Sequence, residues 1–322
     1  MTIPTEYTYA RYLAAKKSVD DRALNQHVWQ QMTIELQNRQ RITESLSILE
    51  FGAGIGTMIE RLLDDNLLRS ATYTALDELD KNTRVADSRI QQWAAQNGWH
   101  LEHTDGALAL AHYGDAGLAP KRVDINLLTA ELFDFLQQQK ERPKFQQTKY
   151  DLLIANAFLD LVDAPAALAL MLPLLKSNGL VYFSINFDGA TIFEPPIAPA
   201  FDAQIEQLYH RTMDERVNNG KPSGHSQTGR QLFRHLRDAG VEILAAGSSD
   251  WVVHAIGENY LHDEAYFLHF IVDTVRGALT DHPELEQGRF MEWITKRHNQ
   301  VEAGELVYVA HQLDFFGSVH GE

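Results

Sequence analysis

The 322-residue chain contains no cysteine. Disulfides, thiolate nucleophiles and cysteine-ligated metals are excluded together, and the redox compartment is left unmarked. Basic residues are also scarce: 28 Lys and Arg face 44 Asp and Glu, a formal charge of -16. No Lys/Arg cluster extends beyond fragments such as "KR" at 121–122. A sequence-independent grip on a phosphate backbone therefore has no source, nucleic acid is disfavoured as a partner, and a small molecule is expected instead. No apolar stretch is long enough to cross a membrane, and "MTIPTEYTYARYLAAKK" lacks the basic start and apolar core of a leader. The expectation is a soluble, cytoplasmic protein without a membrane partner. Internal repeats and low-complexity tracts are absent too.

The sequence does have enough apolar content, 44%, to bury a core without cross-links. The first forty residues read as helical with a break near "KSVDDRALN", where Ser18 and Asp21 approximate a capping box. From residue 46 short apolar runs alternate with amphipathic stretches. "LSILEF", "TYTAL", "DINLLT", "YDLLIANAF" and "LVYFSINF" read as strands. "GTMIERLLDDNLL", "NTRVADSRIQQWAAQNG" and "PAALALMLPLLKSNG" read as helices, the last closed by Asn178 and Gly179. That alternation predicts an α/β fold with a mainly parallel sheet covered on both faces. Further on, "DAQIEQLYHRTMDERV" and "QTGRQLFRHLRDAG" are helical, the second capped by Ser226, and "VEILAAG" is a strand. Two helical patterns at roughly 262–280 and 284–300, the second opened by Asp281, Pro283 and Glu284, stand ahead of the final strand "ELVYVAHQLDFFG". This two-helix insertion lies outside the regular alternation and suits a lid.

"LEFGAGIG" packs Gly52, Gly54 and Gly56 into the turn between the first strand and its helix. Such a turn aims free backbone N–H groups and the positive helix end at a ligand, and glycine lets the ligand approach. Thr57 stands where a dinucleotide fingerprint requires its third glycine. Glu50, two positions ahead of Gly52, would repel a pyrophosphate but suits an ammonium group. Asp77 ends the second strand, where an acid accepts ribose hydroxyls, with Glu78 and Asp80 beside it. Glu131 follows the third strand and suits an exocyclic amine while the Leu132 N–H meets a ring nitrogen; Asn156 and Phe158 follow the fourth. All fall at the carboxyl ends of strands, the rim where open parallel sheets bind ligands.

With these residues in place, the chain from about 46 to 317 resembles the class I S-adenosylmethionine-dependent methyltransferases of small-molecule type. "LEFGAGIG" is similar to their first motif, "ALDEL" to their ribose-binding acid, "TAELF" to their adenine-side segment and "YDLLIANAFLDLVD" to their fourth-strand motif. "VEILAAGSSDWVVHA" and "ELVYVAHQLDFFG" resemble their sixth and reversed seventh strands. The resemblance implies a Rossmann-like, seven-stranded, mostly parallel sheet with a reversed final strand, a helical N-terminal cap over 1–45 and a methyltransferase domain over 46–322. Residues 188–226 and 255–302 would be substrate-side elaborations. It implies S-adenosylmethionine as cofactor, adenosylhomocysteine as product, and Glu50, Gly52, Gly54, Asp77, Glu131 and Leu132 in cofactor binding. "NAFL" departs from the Asn-Pro-Pro-Tyr/Phe motif of many amino-group enzymes acting on nucleic acid or protein, which disfavours that chemistry on bases.

On the acceptor side Tyr12, Arg22, Tyr209, Arg211, Trp251 and Tyr260 are the substrate-binding candidates, and His210, His225 and Asp250 the catalytic ones. Methyl transfer needs positioning more than a base, so none is obligatory. His254, His262 and His269 lack a fourth ligand, and no metal is expected. "FIVDTVRGAL" at 270–279 suits a homo-oligomer interface as readily as a core. A nicotinamide-dependent oxidoreductase and a non-catalytic adenosyl-binding protein are the alternatives.

Overall fold

The computed structural model describes residues 3–104, 107–113, 120–143, 147–218 and 220–320. Residues 1–2 and 321–322, the outer ends of the two expected domains, lie outside that set. Twelve strands and ten helices follow one another among the described residues. The order begins α1 (Tyr9–Ala23), α2 (Gln26–Arg39), β1 (Leu46–Phe51), α3 (Thr57–Asp64), β2 (Ser70–Asp77), α4 (Asp80–Gln96). A hairpin of β3 (His100–Thr104) and β4 (Ala107–His112) precedes β5 (Lys121–Thr129) and α5 (Leu132–Glu141). Then come β6 (Tyr150–Asn156), α6 (Ala164–Met171), β7 (Leu175–Glu194), α7 (Pro199–Asp214), β8 (Val217–Asn218), β9 (Lys221–Pro222) and α8 (Thr228–Asp238). The chain closes with β10 (Val241–Ser248), β11 (Trp251–Val253), α9 (Glu264–Leu279), α10 (Gln287–Glu302) and β12 (Val307–Val319).

Seven strands make the expected central sheet in the order β5-β2-β1-β6-β7-β12-β10, parallel except for the reversed β12. The β3–β4 hairpin extends it antiparallel beyond β5, and β11 adds to β12, giving ten strands in all. The hairpin escaped the sequence reading because "HLEHT" and "ALALAH" are short strands of five and six residues. Alternation along each strand divides the core in two. Ile48, Leu152 and Ile154 join the face packed by α1 to α4 and by α9 and α10. Leu49, Phe51, Leu153 and Ala155 join the face covered by α5, α6 and α8.

Four expected boundaries are corrected. Ser18 lies inside α1, and the break is made by Asn25, whose side chain accepts from Val28 N at 3.1 Å and caps α2. The helix expected to run to Gly179 stops at Met171 and gives way to a tight turn at Leu172–Leu174. Pro173 offers no N–H to continue the helix, and Asn178 and Gly179 sit within the 20-residue β7. Helix α8 starts from Gln227 rather than Ser226, whose N–H is held by Asp214 Oδ1 at 2.7 Å. Glu286, not the Asp281–Glu284 group, caps α10, accepting from Gly288 N and Arg289 N at 2.9 and 2.7 Å.

Candidate functional site

At the end of β1 the chain reverses through Gly52, Gly54 and Gly56, all with positive φ (65, 55 and 80°). A side chain at Gly52 would place its Cβ 2.4 Å from Phe158 Cδ2, so this turn can only be glycine while Phe158 lies across it. Helix α3 opens from Gly56 without a side-chain cap, leaving first-turn N–H groups for other acceptors. The neighbouring strand braces the turn. Ala53 N donates to Leu76 O at 2.9 Å and Gly54 N to Asp77 Oδ2 at 2.8 Å. Asp77 Oδ1 accepts from Leu79 N at 2.9 Å and from Asn82 Nδ2 at 3.0 Å. The carboxylate thus links the glycine turn to the start of α4 and still has acceptor capacity left.

Glu50 is buried, with Oε2 accepting from Tyr73 OH at 2.8 Å. Burial raises its pKa from 4.5 to about 7, opposed by the Tyr73 hydrogen bond and the Arg61 charge. Glu131 caps α5 by accepting from Asp134 N at 2.9 Å, and Asn156 Oδ1 accepts from Ser184 Oγ at 2.7 Å. Glu50, Gly52, Gly54, Asp77, Glu78, Glu131, Leu132, Asn156 and Phe158 all line one cavity of about 610 Å³. Gly56 does not line it, and instead packs against Ala86 of α4. The cavity lies at the carboxyl ends of β1, β2, β5 and β6, and its size suits a small organic ligand.

The same cavity continues under α1, α7 and α9. Tyr12, Tyr209 and Trp251 line this second part. The other acceptor-side candidates lie elsewhere. Arg22 pairs with buried Glu264 at 2.6 Å, and Arg211 pairs with Glu284 on the surface. Tyr260 OH is spent on Leu306 O at 2.8 Å. Asp250 accepts from Ser248 Oγ at 2.6 Å and contacts His311 Nδ1 at 2.7 Å. His225 stands near Asp214, 3.4 Å away. His210 Nε2 contacts Thr191 Oγ at 2.9 Å, and Thr191 lines the cavity in front of it. Burial lowers the His210 pKa, so the ring is neutral near pH 7.

Several lining residues escaped the sequence reading. Lys16 and Asp20 form a buried pair on α1, and Trp251 Nε1 donates to Asp20 Oδ1 at 2.9 Å. Arg61 of α3 approaches Asp20 at 3.6 Å and bonds Asp21 at 2.6 Å. No motif marks this node, because its members are 231 and 40 positions apart in sequence. Asn82 was findable one turn into the helix after "ALDEL". His269, read among three histidines, contacts His298 Nδ1 and Glu302 Oε1, each at 2.8 Å, between α9 and α10. Among the described residues no group of three or more His, Asp or Glu is placed to hold a metal, and no helix is long and apolar enough to cross a membrane.

No protein-family model matches the chain, and no curated protein matches it. Among solved structures, the [4+2]-cyclase SpnF shares 15% identity over 98% of this chain and 94% of its own, with a TM-score of 0.41. YjhP from E. coli shares 11% identity over 97% of this chain and 99% of its own, with a TM-score of 0.43. The cyclopropane synthase MmaA2 from Mycobacterium tuberculosis shares 9% identity over 85% and 78%, with a TM-score of 0.41. At these identities and TM-scores the likeness carries no argument about activity.

Proposed function

We propose that this chain is a methyltransferase that uses S-adenosylmethionine to methylate a small molecule. The observation that carries the reading is the two-part cavity. One part holds the glycine turn with Glu50, Asp77, Glu131 and Asn156 on successive strand ends, and the other is an aromatic chamber under helices outside the sheet alternation.

The residues present fit the cofactor. Asp77, which retains acceptor capacity, suits a ribose diol, with Glu78 at the rim beside it. Glu50 suits an ammonium: a cation beside it would offset the burial that lifts its pKa to about 7. Thr57 also lines the cavity, and its hydroxyl is available to a carboxylate. A buried acid under the turn, and Thr57 in place of a third glycine, disfavour a dinucleotide pyrophosphate.

When bound, the cofactor supplies an electrophilic methyl carbon on a sulfonium, which an acceptor lone pair attacks in line. The protein's part is to hold the acceptor close and exclude water, so no protein nucleophile is required. Thr191, in contact with His210, also lines this chamber.

The test is calorimetric titration with adenosylhomocysteine, repeated on Asp77→Ala and with NAD as the comparison ligand. Binding that the substitution weakens more than tenfold, over about 1.4 kcal/mol, with no comparable NAD affinity, is expected. Folded protein that ignores adenosylhomocysteine would sink the reading, and NAD binding in its place would favour an oxidoreductase.

A further inference from the structure

The acceptor chamber is unusually rich in one side chain. Tyr9 and Tyr12 from α1, Tyr209 from α7 and Tyr308 from β12 all line it. Tyr12 stacks on Phe270 at 4.0 Å and 18°, and Tyr9 lies 5.7 Å from Tyr12. Tyr260, Tyr266 and Tyr73 elsewhere in the protein spend their hydroxyls on protein partners. The four chamber hydroxyls make no hydrogen bond to any described residue. Burial raises the pKa of Tyr12, Tyr209 and Tyr308, to about 12 for Tyr209, and with Tyr9, 45% exposed, they are neutral rings with electron-rich faces.

Several acids line the cavity near these rings, and one of them, Asp160, has an oxygen without a partner. Asp160 lies in the tight turn Leu159–Leu161 that follows β6, and it lines the chamber. Its Oδ1 is shielded from solvent and has no hydrogen-bond partner. Beyond the effect of burial, its charge adds to that of Asp77 in raising the Tyr9 pKa, and at Tyr209 it acts against the charge of Arg216. The turn is clamped in place. Ser223 Oγ donates to Leu161 O at 2.7 Å, and any Cβ at Gly224 would come within 2.3 Å of Asp160 O. Burial lifts the Asp160 pKa only to about 6, so near neutral pH it is mainly an anion.

Arg216 and Lys16 favour the ionised form of Asp160, but neither forms an ion pair with it among the described residues. Lys16 is committed to Asp20 in a buried pair, and Arg216 is solvent-exposed at the chamber mouth, where water screens it. An anion with one shielded, unpartnered oxygen is costly to the free protein. A ligand cation offsets that cost twice, through the charge and through the ring faces. An anionic ligand would meet repulsion from Asp160, and a neutral alcohol could donate a hydrogen bond to it but would leave its charge uncompensated.

We propose that the chamber binds an amine, protonated in solution and carried on an apolar body, with its nitrogen at Asp160 among Tyr9, Tyr12, Tyr209 and Tyr308. The amine's role as methyl acceptor rests on the methyltransferase reading; its recognition does not. For transfer the ammonium must first lose a proton: an N–H bond breaks, an O–H bond forms on Asp160, and the nitrogen lone pair is freed.

The test is calorimetric titration of the full chain, with and without saturating adenosylhomocysteine, using three matched probes: 2-phenylethylamine, 2-phenylethanol and 3-phenylpropanoate. The amine is expected to bind at least tenfold tighter than the alcohol, and the acid weakest. Asp160→Asn removes no protein partner of Oδ1, so it should fold normally and lower the amine to the affinity of the alcohol. Tyr209→Phe should keep the amine affinity within threefold, while Tyr209→Leu should weaken it at least fivefold. An amine that binds no better than the alcohol or the acid, or that ignores Asp160→Asn, overturns the proposal. Amine selectivity that survives while adenosylhomocysteine fails to bind supports the amine site and sinks the methyltransferase reading.

Discussion

The two parts of the cavity are built by different means. The cofactor side is assembled from strand ends and the turns directly after them, and its defining contact, Gly54 N to Asp77, spans 23 residues. The acceptor side is assembled from helices brought together across the chain: Ser18 and Arg22 of α1 meet Glu264 of α9 across 246 and 242 residues. A wall made by the fold's own alternation is cheap to specify locally. A wall made by distant helices depends on the whole molecule being in place.

Substitutions sharpen or break that contrast. The largest effect is expected from Gly52→Ala, which strains a positive φ and drives a methyl group into Phe158. It should cost about 2–4 kcal/mol of stability and most adenosylhomocysteine affinity. Thermal melting of Gly52→Ala/Phe158→Ala should recover the part due to the clash; no recovery would mean that backbone strain dominates.

Glu50→Gln comes next and acts in opposite directions on stability and binding. Glu50 has its pKa raised by burial from 4.5 to about 7, so the folded state keeps a proton that the unfolded chain releases. Its stability is complete below pH 4.5 and is lost as pH rises through 7, reaching about 3 kcal/mol. At pH 8 the ligand-free Gln variant should melt higher than the parent, yet bind adenosylhomocysteine at least tenfold more weakly. A variant that melts lower at pH 8 would contradict the buried-acid account.

Glu264→Ala should cost about 2 kcal/mol by stranding Ser18 and Arg22. Adenosylhomocysteine affinity should stay within threefold if the two sides are separable, and an equal loss on both would show that they are not. His298 provides a contrast in pH. Burial and the neighbouring His269 lower its pKa from 6.5 to about 4, with Arg276 adding to the shift and Asp273 and Glu302 opposing it. The stability it contributes is present above pH 6.5 and lost as pH falls through 4. His298→Leu should therefore flatten the acid side of the melting profile and leave the alkaline side unchanged. Arg211→Ala, removing a surface pair outside the cavity, should change stability by less than about 0.5 kcal/mol.

Much of the cofactor side was readable because strand periodicity, positive-φ glycines and acids at strand ends are local signals. "LEFGAGIG" and "ALDEL" mark the turn and the acid at the next strand end, while the bond from Gly54 N to Asp77 belongs to the structure. Helix and strand limits failed where one residue outweighed a pattern, as with Pro173 ending α6 and Asn25 dividing α1 from α2. On the acceptor side aromatic content was visible but orientation was not. Tyr12, Tyr209 and Trp251 face the cavity, while Tyr260 of similar appearance turns to Leu306. Arg22 and Arg211 looked available for a substrate acid, but each has a carboxylate partner far along the chain. Asp160 was legible as a residue; its isolation among tyrosines belongs to the tertiary structure.

The tie between α1 and α9 has a consequence for synthesis. Ser18 and Arg22 leave the ribosome some 240 residues before Glu264, their partner. At about 5–20 residues per second that is a wait of roughly 10–50 s. Throughout that interval Val19, whose side chain is buried in the finished protein, has no α9 to pack against. Helix α1 is therefore made long before the helix that holds it, and its docking on α9 is a late step of folding.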